Sequence, residues 1–277
     1  MIRIFTIATS TYKRYITTYF LPTIHNFFKD YDKELIIFSD GLKEYDDVQY
    51  DHLHIKVKHI YNLYPFDIQF NKFNFIDGEI DCVNDNDLCF YIDSDTIFKE
   101  SKKAEEQILK EYKDDKIICT IHPLDIYAAY FTDGYDEFRN RYTNEVMYGS
   151  LHFTPDVNKR DLITSFIIFN KKSFKKFFEE YNRNIKIMMH HVPFICPSLN
   201  DEFVVIKMYH ESDEFIKAFV YNTINFAVSD DLTFENYIFA PWMNEMHGKD
   251  ISFFIELNHD DAYNICNQKF NYELKIK

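Results

Sequence analysis

The segment Leu88-Cys89-Phe90-Tyr91-Ile92-Asp93-Ser94-Asp95 sets two carboxylates two residues apart at the end of five apolar residues. Such an apolar run predicts a strand buried on both faces. In open α/β sheets, ligands bind beyond the carboxyl ends of the strands. Two hard oxygen donors at that place suit Mg²⁺ or Mn²⁺ carrying a diphosphate. The spacing alone carries little, because 27 Asp in 277 residues give about three Asp-x-Asp pairs by chance, and the chain has three. Asp30/Asp32 lies in a charged turn and Asp85/Asp87 in a polar segment, and both read as solvated loop charge. Only Asp93/Asp95 follows a hydrophobic strand.

A second acidic pair, Asp201-Glu202, follows Asn200 at the start of a helical pattern. Asn is a good N-cap, and carboxylates in a first turn favour the macrodipole, so the pair has a structural reading beside a catalytic one. His122 precedes Pro123 and reads either as a structural histidine or as a site residue. His190-His191 suggests metal by residue type, but no third ligand has suitable spacing, so the pair reads as surface or lid.

These residues need elements to hold them. Ile2 to Ala8 is strand-like and ends in Thr9-Ser10-Thr11, hydroxyl residues suited to capping a helix. That helix is expected near Tyr12 to Phe28, kinked or broken at Pro22. Strands are expected at Leu35 to Phe38, His54 to Ile60, Leu88 to Ile92, Lys116 to Ile121 and Leu162 to Phe169. Helices are expected at Asp67 to Ile80, Lys102 to Tyr112, Ser173 to Met189 and from Asn200 through Met208. Tyr127 to Lys159 reads as a functional excursion, and Tyr221 to Lys277 as short strands and loops. Strands alternating with helices over the first 120 residues imply α/β architecture with a mixed, mostly parallel sheet. A single domain over 1–277 is expected, with a nucleotide-binding half at 1–98 and an acceptor-binding half at 99–277.

Composition narrows the function classes. A net charge of −14 and 46% hydrophobic residues fit a globular core and argue against an electrostatic nucleic-acid binder. No apolar run approaches the roughly 20 residues of a membrane span. Met1 to Phe5 reads as a first strand rather than a signal peptide. Five cysteines without a Cys-x-x-Cys pair read as reduced thiols, with Cys89, Cys119 and Cys196 in apolar surroundings. A cytoplasmic protein is expected.

Several short segments then align in order with one family. The chain resembles glycosyltransferase family 6, the retaining α-1,3-galactosyl and N-acetylgalactosaminyl transferases that include the ABO blood-group enzymes. The resemblance runs from about Ile7 to His259. Ile7-Ala8-Thr9-Ser10-Thr11-Tyr12 is similar to the family's uridine-gripping first strand, with Ala8 and Tyr12 matching residue for residue. Lys72, in Phe66 to Phe73, stands where the family carries an Arg that reaches nucleotide and donor. Asp93-Ser94-Asp95 matches the metal motif. Thr120-Ile121-His122-Pro123 matches Thr-Leu-His-Pro, whose His touches the acceptor. Ser165, in Ile163 to Phe166, departs from a small Gly or Ala in the strand that selects donor and acceptor. Asn200-Asp201-Glu202 matches His-Asp-Glu, with Leu199 in place of the family's Trp. Asn258-His259 resembles the C-terminal Asn-His, whereas Leu257 and Tyr263 stand where the family has basic residues.

The resemblance implies a GT-A type nucleotide-sugar transferase fold and a UDP-sugar donor with Gal or GalNAc as the favoured sugar. It implies a glycan or glycoconjugate acceptor and Mn²⁺ or Mg²⁺ on Asp93 and Asp95. Glu202 would be the catalytic carboxylate and Asp201 a donor-sugar ligand. Ile7, Ala8, Thr9, Tyr12, Lys72, Asp93 and Ser94 would hold the nucleotide sugar, and His122, Ser165 and His259 the acceptor. Two alternatives remain: another retaining GT-A transferase of glycogenin type using UDP-glucose, or a catalytically silent sugar-nucleotide-binding protein.

Overall fold

The computed structural model describes residues 1–10, 12–61, 65–94, 96–98, 100, 102–112, 115–121, 159, 162–191, 200–219 and 238–239. The chain is α/β, with eight strands of mixed, mostly parallel sheet flanked by helices. It divides into two compact units interleaved in sequence. The first comprises Met1–Ile60, Ile92–Glu111 and Tyr221–Lys277, and the second Tyr61–Tyr91 and Tyr112–Val220. Elements are numbered in chain order.

In the first unit, β1 (Ile2–Ile7), β2 (Lys33–Ser39) and β4 (Leu53–His59) are parallel neighbours, and the short β3 (Val48–Tyr50) pairs antiparallel with β4. Every residue of β2 is buried, as its Leu-Ile-Ile-Phe run predicts. The first and last residues of that strand are polar, and each has partners. Register pairs Arg3 with Glu34 and Glu34 with His54. The buried Glu34 carboxylate ion-pairs with Arg3 and, at 2.5 Å, with Lys56.

The crossover after β1 is helical over Tyr12–Asn26 but not uniformly α. α1 (Tyr12–Tyr15) widens into a π segment (Ile16–Phe20), then α2 (Leu21–Thr23) and a 3₁₀ turn (Ile24–Asn26). Pro22 supplies the cause. It has no N–H, and its ring would meet the carbonyl four residues back in α geometry. The Leu21 N–H bonds Ile16 O, five residues back, and the Thr23 hydroxyl donates to Tyr19 O at 2.7 Å. The expected interruption at Pro22 is therefore a one-residue change of register.

The short β6 (Ile97–Phe98), too short for any periodicity to announce, pairs antiparallel with β10 (Ile238–Phe239). Side chains hold its other edge: Phe98 N–H donates to Thr23 Oγ1 at 3.1 Å, and Asn26 Nδ2 donates to Phe98 O at 3.3 Å. The Phe98 ring packs against Phe20 and Phe27 at 4.9 and 5.1 Å between centroids. α4 (Lys102–Glu111) completes the described part of this unit.

In the second unit the strand order is β5 (Leu88–Ile92), β8 (Leu162–Phe169), β7 (Ile117–Ile121), β9 (Ile216–Phe219). β7 runs antiparallel to β8 and parallel to β9. The helices of this unit among the described residues are α3 (Pro65–Ile80), α5 (Lys171–His191) and α6 (Asn200–Glu211). Phe73 of α3 meets Tyr181 and Phe177 of α5 at 4.5 and 5.0 Å, and Phe90 meets Phe166 at 5.7 Å. Burying each such ring contributes about 1.5–3 kcal/mol, joining α3 to α5 and β5 to β8.

Two features of this unit differ from the sequence reading. Asp87 is not solvated loop charge: it is 4% exposed, and its Oδ2 accepts the Asn84 N–H and Nδ2–H, each at 3.2 Å. It ties the turn that launches β5. The β7–β8 ladder also carries an offset. Cys119 pairs with Ile167 while the next residue, Thr120, pairs with Ile163. Thr164, Ser165 and Phe166 therefore stand opposite no residue of β7, a bulge that re-aims their backbone groups.

Candidate functional site

The described candidate residues divide between the two units. In the first unit, β1 and β2 end side by side. Ala8 N–H donates to Phe38 O at 2.9 Å, and the buried Ser39 hydroxyl donates to Ala8 O at 2.6 Å. The Gly41 N–H donates in turn to Ser39 Oγ at 3.1 Å. One hydroxyl thus joins the carboxyl ends of two parallel strands. Ile7, Ala8 and Thr9 are buried there.

Beyond Thr9 the chain turns sharply, with Ser10 at a φ of 51°. Thr9 receives the Tyr12 N–H through its carbonyl at 2.9 Å, so it starts the helical run by its backbone. The Tyr12 ring is half exposed and lies edge-on to Tyr15 at 5.6 Å. An exposed aromatic beside a strand end is suited to stacking on a planar base. Lys13 reaches Asp40, the first residue after β2, at 3.0 Å. A Cβ on Gly41 would lie 3.2 Å from the Lys13 Cδ, so the residue after Asp40 is small where this lysine crosses it.

Asp93 and Ser94 also belong to this unit. Asp93 is half-buried and receives the Thr96 N–H on its carbonyl at 3.3 Å. Ser94 is buried, and its hydroxyl has no hydrogen-bond partner among the described residues. Asp95, the other half of the expected metal pair, lies outside the described residues. Among the described residues, no group of three or more His, Cys, Asp or Glu side chains gathers. A hard cation held by one or two carboxylates, completed by diphosphate and water oxygens, fits such a donor set.

In the second unit, α3, β8 and α6 bring Lys72, Thr164, Asp201 and Glu202 together. Asp201 and Glu202 lie in the first turn of α6. Lys72 Nζ is 2.5 Å from Asp201 Oδ2, with both side chains under a tenth exposed. The same ammonium donates to Thr164 Oγ1 at 3.3 Å and Thr164 O at 3.4 Å. The Thr164 hydroxyl donates to Asp201 Oδ2 at 3.2 Å, and the Thr164 N–H donates to Glu202 Oε2 at 3.3 Å. Lys72 also sits 4.7 Å from the centroid of the Tyr91 ring, at the end of β5. Lys72, expected to reach the nucleotide sugar, is thus bonded to Asp201 and Thr164 within this unit.

The groups around this cluster are held in their neutral forms. Burial pushes the Cys119 thiol well above its ordinary range, with Glu202 adding to the effect and Lys72 opposing it. Cys119 is a fully buried thiol. Burial, with Asp201 second, likewise raises the Tyr181 phenol well above its ordinary value. Ser165 is buried beside this cluster in sequence, and its hydroxyl, like that of Thr120, has no partner among the described residues. His122 and His259, the other expected acceptor residues, lie outside the described residues. His190 and His191 close α5.

Three participants are not singled out by the sequence: Ser39, Thr164 and Tyr91. The signals for Thr164 are its place in the Ile163 to Phe166 segment and a pair of hydroxyl residues inside an otherwise apolar eight-residue strand. Comparison of the chain with protein-family models and with curated proteins returned no match.

Proposed function

We propose that the chain is a retaining, metal-dependent transferase that moves a hexose or N-acetylhexosamine, Gal or GalNAc for preference, from a UDP-sugar to a glycan acceptor on a GT-A type fold. The observation that supports this reading most is the Asp201-Glu202 pair. Lys72 neutralises Asp201, while Glu202 stays half-buried and receives the Thr164 backbone N–H.

Leaving of UDP builds positive charge at the anomeric carbon. Glu202 would stabilise that charge or bond the carbon before the acceptor hydroxyl displaces it, giving net retention. Asp201 would accept a hydrogen bond from a donor-sugar hydroxyl. Tyr12, Ala8 and Thr9 would hold the uridine at the end of β1. Asp93 and Asp95 would hold the divalent ion, whose charge offsets that developing on the diphosphate.

UDP release and product linkage, measured with UDP-Gal, UDP-GalNAc and UDP-Glc, Mn²⁺ and a panel of glycans, test the reading. Transfer with retained anomeric configuration is expected. Glu202→Gln should lower turnover by about 10²-fold or more while UDP binding persists, and Asp93→Asn or Asp95→Asn should abolish the metal-dependent turnover. Full activity in EDTA would remove the metal from the reading. UDP binding without any hydrolysis or transfer would identify a silent sugar-nucleotide binder instead.

A further inference from the structure

We propose that Thr164 is a positioning residue that fixes both carboxylates of the Asp201-Glu202 pair, one through its hydroxyl and one through its backbone. The inference rests on the transferase reading of that pair and gives Thr164, which that reading mentions only as a donor to Glu202, a role of its own.

Thr164 lies in the segment of β8 that stands opposite no residue of β7. In a continuous antiparallel ladder its N–H would be directed along the sheet. Within the bulge, that N–H donates to Glu202 Oε2 at 3.3 Å. The hydroxyl has one proton and two lone pairs. The proton goes to Asp201 Oδ2 at 3.2 Å, and a lone pair receives Lys72 Nζ at 3.3 Å. The carbonyl of the same residue receives Lys72 at 3.4 Å. One residue therefore contacts both carboxylates and the only cation shown on Asp201 among the described residues.

The contacts are directional. Lys72 and Asp201 attract without regard to angle, so an ammonium alone leaves the carboxylate able to rotate. A donor on Oδ2 and a shared acceptor on the ammonium set that rotation. Valine matches threonine in shape but lacks the hydroxyl, and serine keeps the hydroxyl while losing a methyl. The two substitutions separate hydrogen bonding from packing.

Steady-state kinetics of UDP-sugar turnover provide the first test. Thr164→Val is expected to lower kcat by about 10- to 100-fold with KM for the donor changed less than about threefold, because misplacement by about 1 Å costs that much. Thr164→Ser is expected to restore kcat to within about threefold of the unsubstituted chain. An unchanged kcat in Thr164→Val, a defect in KM alone, or a serine variant as impaired as the valine variant would overturn the proposal.

Crystal structures of the two variants provide a test that needs no activity. The Asp201 carboxylate and Lys72 ammonium should move by about 1 Å in Thr164→Val and stay in place in Thr164→Ser. Carboxylates that keep their positions in both variants overturn the proposal. If they move while no UDP-sugar is turned over by the unsubstituted chain, positioning by Thr164 stands and the transferase reading fails. Turnover that Thr164→Val leaves unaffected does the reverse: transfer stands and positioning by Thr164 fails.

Discussion

Lys72 and Asp201 are charges that the fold has withdrawn from water. Desolvating such a pair is expensive, and its stability rests on each partner being present. Removing the ammonium leaves a buried carboxylate with only the Thr164 hydroxyl, among the described residues, to offset it. Lys72→Met should therefore destabilise the chain by about 3–5 kcal/mol in urea unfolding, and Lys72→Met/Asp201→Asn should recover more than half of that loss. A loss below about 1 kcal/mol in the single variant would show that the pair is hydrated. Among the candidate residues, Asp93 of the first unit and Lys72, Asp201 and Glu202 of the second are legible in the sequence as chemically loud residues. Thr164 and Asp87 are not, because the partner of a hydroxyl or of a turn carboxylate is fixed by register and burial, which composition does not carry.

At the scale of elements, apolar runs and helical spacing locate the long strands and helices within a few residues. The same signals are blind to β3 and β6, whose three and two residues span too little for a period. They are also blind to the bulge in β8, because Leu162 to Phe169 reads as one uninterrupted buried strand whichever residues face β7. β2 carries a further consequence at this scale. Its first residue, Lys33, is 4% exposed and donates through Nζ to Phe28 O at 2.8 Å and Tyr31 O at 3.1 Å, closing the turn before the strand. Burial pulls this ammonium down to about 8, against the opposing pull of Glu105, Asp32 and Asp30.

The folded chain thus releases the Lys33 proton near pH 8, whereas the unfolded chain keeps it to about 10.5. The unfolded state binds more protons between those values, so this group's contribution to stability rises with pH across the window and is flat below it. Relative to Lys33→Met, the unsubstituted chain should gain about 2 kcal/mol between pH 7.5 and pH 10 in urea unfolding. Two unfolding free energies that keep a constant difference across that interval would show an ammonium with an ordinary affinity for its proton.

Over the whole molecule the charge is −14, and the exposed ion pairs, such as Lys172–Asp115 and Lys175–Asp81, lie at the surface. Exposed pairs contribute little each, while the excess of like charge acts on the entire folded surface. Raising NaCl from 20 to 500 mM shortens the screening length several-fold and should raise Tm by about 2 °C or more. A fall in Tm over that range would mean that the exposed pairs outweigh the net repulsion. No helix among the described residues is long and apolar enough to cross a membrane.

The interleaving of the two units bears on how this gene can be cut. The chain passes from one unit to the other after Ile60, after Tyr91, after Glu111 and after Val220. A clone ending at residue 98, the expected end of a nucleotide-binding half, would carry α3 and β5 without β7, β8 and β9. It would also omit α4. Neither unit is a contiguous stretch of codons, so no single truncation isolates either one. Recombination with another protein would have to exchange paired segments, and a ribosome must release residue 111 before the described parts of β1, β2 and α4 can meet as one body.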